Sequence, residues 1–380
     1  MKITSIRSYI LQTKLKQPFR FSQWSYSARS ATLVCIETEC GLQGWGEAYG
    51  PPDVAKAAID CFFAPLLLGR DPNDHEHLWH LMFARSLDYG QKGIMLAAIS
   101  ALDIAMWDLS AQSANMPLYR YLGGAEQQSI RCYATGFYFA SDDMPGIVSE
   151  FACEAERYQA MGFDAMKLKV GLGVRNDLRL IEAVRTSVSS ETRVMIDANH
   201  AYDTTTAIDL CRRAAKYDLG WFEEPVSPLD PGAYAAVRLA SEIPIAGGEC
   251  EYTRFGFASL FRAGAVDYAQ PDLCACGGIT EAMKIATLAS LYSVHVTPHA
   301  WGTAIGQAAA LHFYAARVGN PATLVPETKL IECDLSENPL RNSIVADPIC
   351  LSGGAWQIPQ SPGLGITVLP KEFLRFQTGS

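Results

Sequence analysis

The chain lacks several things, and each absence removes a class of function. It has no excess of positive charge. Thirty-one Lys and Arg against 40 Asp and Glu leave a net charge of −9, which excludes the basic surface that nucleic-acid phosphates demand. It has no uninterrupted apolar run of about 18 residues, so no membrane span is expected. The opening Met1-Lys-Ile-Thr-Ser-Ile-Arg7 puts charges where a signal peptide would carry its apolar core. The 11 cysteines are odd in number and lack framework spacing, so disulfides are not expected and the setting is read as reducing and cytoplasmic. There is no low-complexity segment. What is present is length, 380 residues with 49% hydrophobic side chains, which suits about two domains.

Residues 1–125 read as an α+β unit. Strands are expected at 3–12, 31–39 and 43–47, followed by helices at 53–67, 74–84 and 92–113. In the last of these, Ile94, Ala97, Ala98, Ala101, Ile104, Ala105 and Trp107 recur at helical spacing, so burial is expected. Gly123-Gly124 then closes the unit. From 126 to 350 strand and helix alternate, with strands expected at 131–137, 164–170, 193–198, 219–223, 243–247, 266–270, 294–298 and 323–327. Eight strands with helices between them is barrel arithmetic. Residues 351–380, rich in Gly and Pro, are expected to fold back on the first unit.

One polar residue closes six successive strands: Lys169, Asp197, Glu223, Glu249, Asp272 and His299, spaced 28, 26, 26, 23 and 27 residues apart. In a (β/α) barrel that position is the C-terminal rim, where catalytic groups converge. Alternation sets Lys167 and Lys169 on one face, opposite Met166, Leu168 and Val170, which must meet the helices. Both lysines therefore enter the mouth, where crowding is expected to lower a lysine pKa into the range of a base. The same parity turns Glu223 inward rather than Glu224, and gives Asn199 the face of Asp197. Asp197, Glu223 and Glu249, with no His or Cys among them, make a hard oxygen site suited to Mg²⁺ or Mn²⁺. Across the mouth, Asp272 can bond one ring nitrogen of His299 and raise the basicity of the other.

Weaker signals lie elsewhere. His75, His77 and His80 read as a solvated helix, and Gly277-Gly278 fits either an anion at a helix start or a close backbone approach. Substrate contacts are expected from Trp24, Arg29 and Tyr49 in the cap and from Asn199, Trp301 and Glu327, with Arg29 holding a distal carboxylate bidentately.

Taken in order, Gly44-Trp-Gly-Glu47, Lys167-x-Lys169, Asp197-Ala-Asn199, Phe222-Glu-Glu-Pro225, Gly248-Glu249, Gln270-Pro-Asp272 and Pro298-His299 resemble the enolase superfamily. The likeness is to its mandelate racemase/muconate lactonizing branch, and it spans nearly the whole chain. It implies an α/β fold: a (β/α)7β modified TIM barrel with an N-terminal α+β capping domain completed by the C-terminal tail. It implies Mg²⁺ on Asp197, Glu223 and Glu249, with Lys169 as one base and the Asp272–His299 dyad as the other acid/base. Lys167 would steady the substrate carboxylate or enolate. Within the branch, Asp197-Ala-Asn-His200 and the segments 221–226, 270–278 and 298–303 are similar to galactarolactone cycloisomerases, with acid-sugar dehydratases as near neighbours. The implied reaction removes the proton α to the carboxylate of an acid sugar, forms an enediolate and eliminates at the β-carbon. Dehydration of an aldarate or aldonate, and racemisation or epimerisation of a hydroxy or amino acid, stay open. The expected partners are a small carboxylate (an aldaric acid or its lactone) and other copies of the chain in a homo-oligomer.

Overall fold

The computed structural model describes residues 1–125, 127–317, 324 and 328–377. In the cap, β1 (Ile3–Arg20), β2 (Ser25–Thr38) and β3 (Gln43–Ala48) form an antiparallel sheet in that order. The first two strands are longer than their apolar alternation suggests. A register shift between Lys14 and Phe19 lets the hairpin twist and continue. Its end is tied to the barrel where the Phe139 N–H donates to the Arg20 carbonyl at 2.8 Å. The hairpin tip thereby reaches the barrel mouth.

Gly44 and Gly46 explain how β3 lies on the Ile94–Ser113 helix. A Cβ there would stand 2.2 Å from the Ala105 oxygen and 1.8 Å from the Ala101 oxygen. The alternate residue Glu47 faces the barrel instead. It is buried, and accepts from Thr303 N at 2.9 Å, Thr303 Oγ at 2.7 Å and Gly306 N at 2.8 Å. A cap carboxylate thus closes the N-terminus of the Ala304–Ala315 helix.

By length and composition the Ile94–Ser113 helix could cross a membrane, but most of it is buried inside the protein. Its two buried aspartates are satisfied. Asp103 accepts from Thr280 N at 2.8 Å and Thr280 Oγ at 2.6 Å, and Asp108 from Trp45 N at 3.0 Å and Leu364 N at 2.8 Å. Asp103 also settles the Gly277-Gly278 question. A Cβ on Gly278 would meet the Asp103 carboxylate at 2.4 Å, so the anion at this helix start belongs to the chain, and glycine is required by close approach. The histidine segment needs correction too. His75 is buried, stacked on Trp107 with ring centroids 3.9 Å apart, and its Nε2 lies 2.9 Å from Ser110 Oγ.

The barrel comprises β4 (Ser129–Thr135), β5 (Ala165–Lys169), β6 (Arg193–Asp197), β7 (Leu219–Glu223), β8 (Ile245–Gly247), β9 (Tyr268–Ala269), β10 (His295–Val296) and β11 (Leu330–Asp334). The parallel order is β11-β4-β5-β6-β7-β8-β9-β10. Between β10 and β11 the Thr297 hydroxyl donates to the Leu330 carbonyl at 2.7 Å. One helix follows each of the first seven strands, the (β/α)7β pattern. The eighth strand is 330–334 rather than 323–327, a stretch that apart from residue 324 lies outside the described residues. Leu330-Ile-Glu-Cys-Asp334 is free of proline, whereas Pro326 would cost a ladder hydrogen bond.

Inside the ring, Tyr133, Ala165, Met195, Trp221, Ala246, Tyr268 and Leu330 pack as one layer. Two residues further along six of these strands, on the same inward face, stand Thr135, Lys167, Asp197, Glu223, Gln270 and Glu332, all buried. The site is this second layer and the rim above it. The tail first pairs Ala355–Gln357 with β4, then crosses to the cap. There Leu118 N donates to the Gly363 carbonyl at 2.8 Å, and Phe373 packs edge-on against Tyr9 and Trp45.

Candidate active site

Asp197 ends β6 and Glu223 ends β7, while Glu249 follows β8 after Gly248, whose φ of 128° turns the chain at the rim. One carboxylate oxygen from each lies within 4.8 Å of the others. This all-oxygen set fits a hard divalent cation. The acids are braced from behind. Gln270 Nε2 donates to Glu223 at 2.6 Å, Trp221 Nε1 to the same oxygen at 3.0 Å, and the Asn199 amide to Asp197 at 2.8 Å.

Lys167 is fully enclosed. It bonds Glu223 directly and lies 3.5 Å from both Asp197 and Glu332. Lys169 Nζ reaches Asp197 at 2.5 Å and Asn199 Oδ1 at 2.8 Å. Burial pushes Asp197 up, but the two ammonium groups outweigh it and hold its pKa at about 2. Burial dominates at Glu223, pushed up to about 7 despite Lys167. The expectation of a lowered lysine is overturned in this state. Burial alone would lower Lys169, yet the Asp197 carboxylate more than compensates and raises it above the ordinary lysine value. Parity had placed the two lysines together, but the nearest charge to each is a carboxylate.

Across the mouth, His299 Nδ1 lies 2.6 Å from Asp272 Oδ2, and the Cys274 amide holds the other Asp272 oxygen at 2.6 Å. The free ring nitrogen Nε2 lies 3.5 Å from Glu249 and 3.8 Å from Glu332. Burial lowers the His299 pKa, but Glu249, Glu332 and Asp272 together raise it to about 10. Glu332 was missed by the sequence reading. Its carboxylate lies between Lys167 and His299, accepting from Ala300 N at 3.0 Å. The signal was the alternation Leu330, Glu332, Asp334 in a buried strand.

The other proposed contacts separate clearly. Asn199 is at the site, on Lys169. Tyr49 stands edge-on to His299 at 6.0 Å. Trp301 donates to the Tyr138 hydroxyl at 2.9 Å and with Tyr26, Arg29, Tyr49 and Asn338 lines a cavity of about 380 Å³ between cap and barrel. Arg29 does not present a free fork. Nη2 bonds Asp334 at 3.0 Å and Ser336, Nε bonds the Glu337 carbonyl at 3.0 Å, and the guanidinium stacks 3.8 Å from the Trp301 ring. Bidentate capture needs two parallel N–H groups, and one is already spent. Trp24 is 68% exposed at the hairpin tip. Its neighbours make the contacts: Ser22 Oγ donates to the Ala198 carbonyl at 2.7 Å and Gln23 Nε2 to the Asn199 carbonyl at 2.8 Å. Glu327 lies outside the described residues.

A capped barrel whose rim gathers three carboxylates, two lysines and a His–Asp dyad defines a class, the enzymes that move a proton on a carbon made acidic by a neighbouring carboxylate. Residues 5–123 match the mandelate racemase / muconate lactonizing enzyme N-terminal domain, and residues 150–372 the enolase C-terminal domain-like family. The chain is an enzyme of the mandelate racemase/muconate lactonizing branch of the enolase superfamily. It is 42% identical to the D-galactarolactone cycloisomerase of Agrobacterium fabrum, covering 97% of both chains. It is 35% identical to the arabinonate dehydratase of Saccharolobus solfataricus, over 91% of this chain and 90% of that one. The crystal structure of the 3,6-anhydro-D-galactonate cycloisomerase from Zobellia galactanivorans superposes with a TM-score of 0.89 at 42% identity, covering both chains fully. A racemase from Streptomyces coelicolor A3(2) with bound magnesium superposes with a TM-score of 0.88 at 28% identity, covering 99% of this chain and 100% of that one.

Proposed function

We propose that the protein is an acid-sugar cycloisomerase that opens a ring by β-elimination. The observation carrying this is the placement of two proton-transfer groups, Lys169 and His299, on different strands around one three-carboxylate cluster. The similar cycloisomerases are named for substrates in which a ring oxygen sits on an acid-sugar chain.

Mg²⁺, or Mn²⁺, held by Asp197, Glu223 and Glu249 would supply positive charge to the substrate carboxylate and withdraw the Asp197 field that keeps Lys169 protonated. Lys167, buried and cationic, steadies the carboxylate as negative charge moves onto it. Lys167 works against the Lys169 proton, so with Asp197 held by the ion the Lys169 pKa would fall and this side chain would serve as the base. Glu249 would be engaged as well, but Glu332 and Asp272 are not part of the cluster, so these two carboxylates go on holding the proton on His299.

Lys169 Nζ takes the proton from the carbon α to the carboxylate, and the C–H electron pair forms the enediolate. That pair then makes the Cα–Cβ double bond as the bond from Cβ to the ring oxygen breaks. His299 Nε2 protonates the departing oxygen, which stays attached at its other end, so nothing leaves and the reaction is an isomerisation. The enol product tautomerises to a 2-oxo acid. The cavity under the cap holds the far end of the sugar. With a hydroxyl at Cβ in place of a ring oxygen, the same residues would expel water; the similarity to arabinonate dehydratase supports this second reading, and product mass separates the two.

The test uses aldaric acids, aldonic acids and their lactones or anhydro forms, read by 2-oxo acid formation and by deuterium uptake in D₂O. His299→Asn should retain α-proton exchange while product formation falls by roughly a hundredfold or more, the range for a general acid. Lys169→Ala should lose both. Normal turnover in both variants would refute the assignment.

A further inference from the structure

The geometry points to a second cation site, distinct in chemistry from the first and just behind it, built by His200, Glu224 and Cys250. Each offers a ligand atom, and the three atoms lie within 4.8 Å of one another. Each residue follows an acid of the first cluster, by three positions from Asp197, one from Glu223 and one from Glu249. His200 and Glu224 stand in the rim turns with φ values of 53° and 42°.

The state of the Glu224 side chain indicates a ligand there. Glu224 is 0% exposed, and its carboxylate meets no nitrogen or oxygen donor among the described residues, only the Cys250 thiol beside it. A buried carboxylate left this way is costly, and chains retain one only where something else meets it.

The donor set decides which ion. Thiolate, imidazole and carboxylate suit Zn²⁺, or Co²⁺ and Cd²⁺ in its place, and disfavour Mg²⁺. Three protein ligands leave a fourth position open. Gln23 Nε2 lies 2.8 Å from His200 Nδ1, so binding through Nε2 requires Gln23 to turn its amide oxygen toward Nδ1–H and release the Asn199 carbonyl. Occupancy of this site is therefore coupled to the cap hairpin.

The full-length protein is stripped of metal, saturated with Mg²⁺ and titrated with Co²⁺. A near-ultraviolet thiolate-to-cobalt charge-transfer band should grow to one equivalent, and Zn²⁺ should displace it. Cys250→Ser should abolish the band, and Glu224→Gln should weaken Co²⁺ binding by at least tenfold, with circular dichroism confirming that both fold. No band in the parent protein, or a band unchanged in Cys250→Ser, overturns the proposal. Because the first cluster contains no sulfur, failure of Mg²⁺-dependent turnover with the band intact would count against the cycloisomerase reading alone.

Discussion

Replacing Arg29 with methionine separates two roles that a sequence cannot tell apart, since an arginine near a lid suits both substrate capture and domain docking. Its hydrogen bonds in the structure favour the second. Arg29 is 3% exposed and its partner Asp334 is fully buried, 3.0 Å away. Removing one member of a buried pair costs about 3–5 kcal/mol. Here the lower end applies, because Asp334 keeps Arg341 Nη2 at 2.6 Å and the Ser336 hydroxyl. Methionine also refills part of the stack on Trp301, though about 2 kcal/mol of cation–π attraction is lost. We expect a net destabilisation of about 3–5 kcal/mol, seen as a fall in Tm on the order of 5 °C for a chain of this size. In a cycle with Asp334→Asn the two losses should be non-additive by about 1–3 kcal/mol, as for residues in contact. KM for a diacid and for the matching monoacid should change by similar factors. An unchanged Tm, with KM raised for the diacid alone, would refute this reasoning and return Arg29 to the substrate.

Chelation with EDTA should abolish turnover, and added Mg²⁺ or Mn²⁺ should restore it; full activity of the metal-stripped enzyme would remove the cation from the reaction. Burial pushes the Asp103 pKa up to about 7. The folded protein therefore binds this proton more tightly than the unfolded chain, and the corresponding stability is lost between about pH 4 and pH 7. Asp103→Asn should look better relative to wild type at pH 8 than at pH 5 in urea titrations, and a pH-independent difference would contradict that assignment. Trp24→Ala should alter stability by less than about 0.5 kcal/mol and leave kcat within twofold; a large loss in kcat would place the indole in the closed site.

The barrel and its acids were legible because both depend on period two. A strand with helices outside and polar groups inside writes its inward face as every second residue, and Lys167, Lys169, Asp197 and Glu223 fall on that face in sequence and structure alike. Glu332 escaped because the rhythm breaks before it. The step from His299 is 33 residues, longer than any other, so the period pointed to Glu327. Arg29 escaped for another reason. Its partner lies 305 residues away, and a lone charge in a β-pattern carries no record of what will neutralise it. The charge state of Lys169 was misread because parity reports direction, whereas pKa depends on the distance to Asp197. The cap strands ran past their apolar alternation because tertiary contacts, such as Arg20 with Phe139, hold the hairpin end where propensity does not.

Glu47 has a consequence for how such enzymes can be recombined. Its carboxylate is anchored in one domain and terminates a helix of the other, and Gly302 and Gly306 are small because a Cβ there would lie 2.5 and 2.9 Å from it. The loop between His299 and that helix is thus moulded from outside the barrel. A chimera joining this barrel to a foreign cap would keep Thr303 as the helix cap but lose the carboxylate that holds Thr303 and Gly306, close to His299, unless the cap's Gly-x-Gly-Glu strand and the barrel's 302–306 turn travelled as a pair. The two domains are separate in sequence but form a single heritable unit at this point.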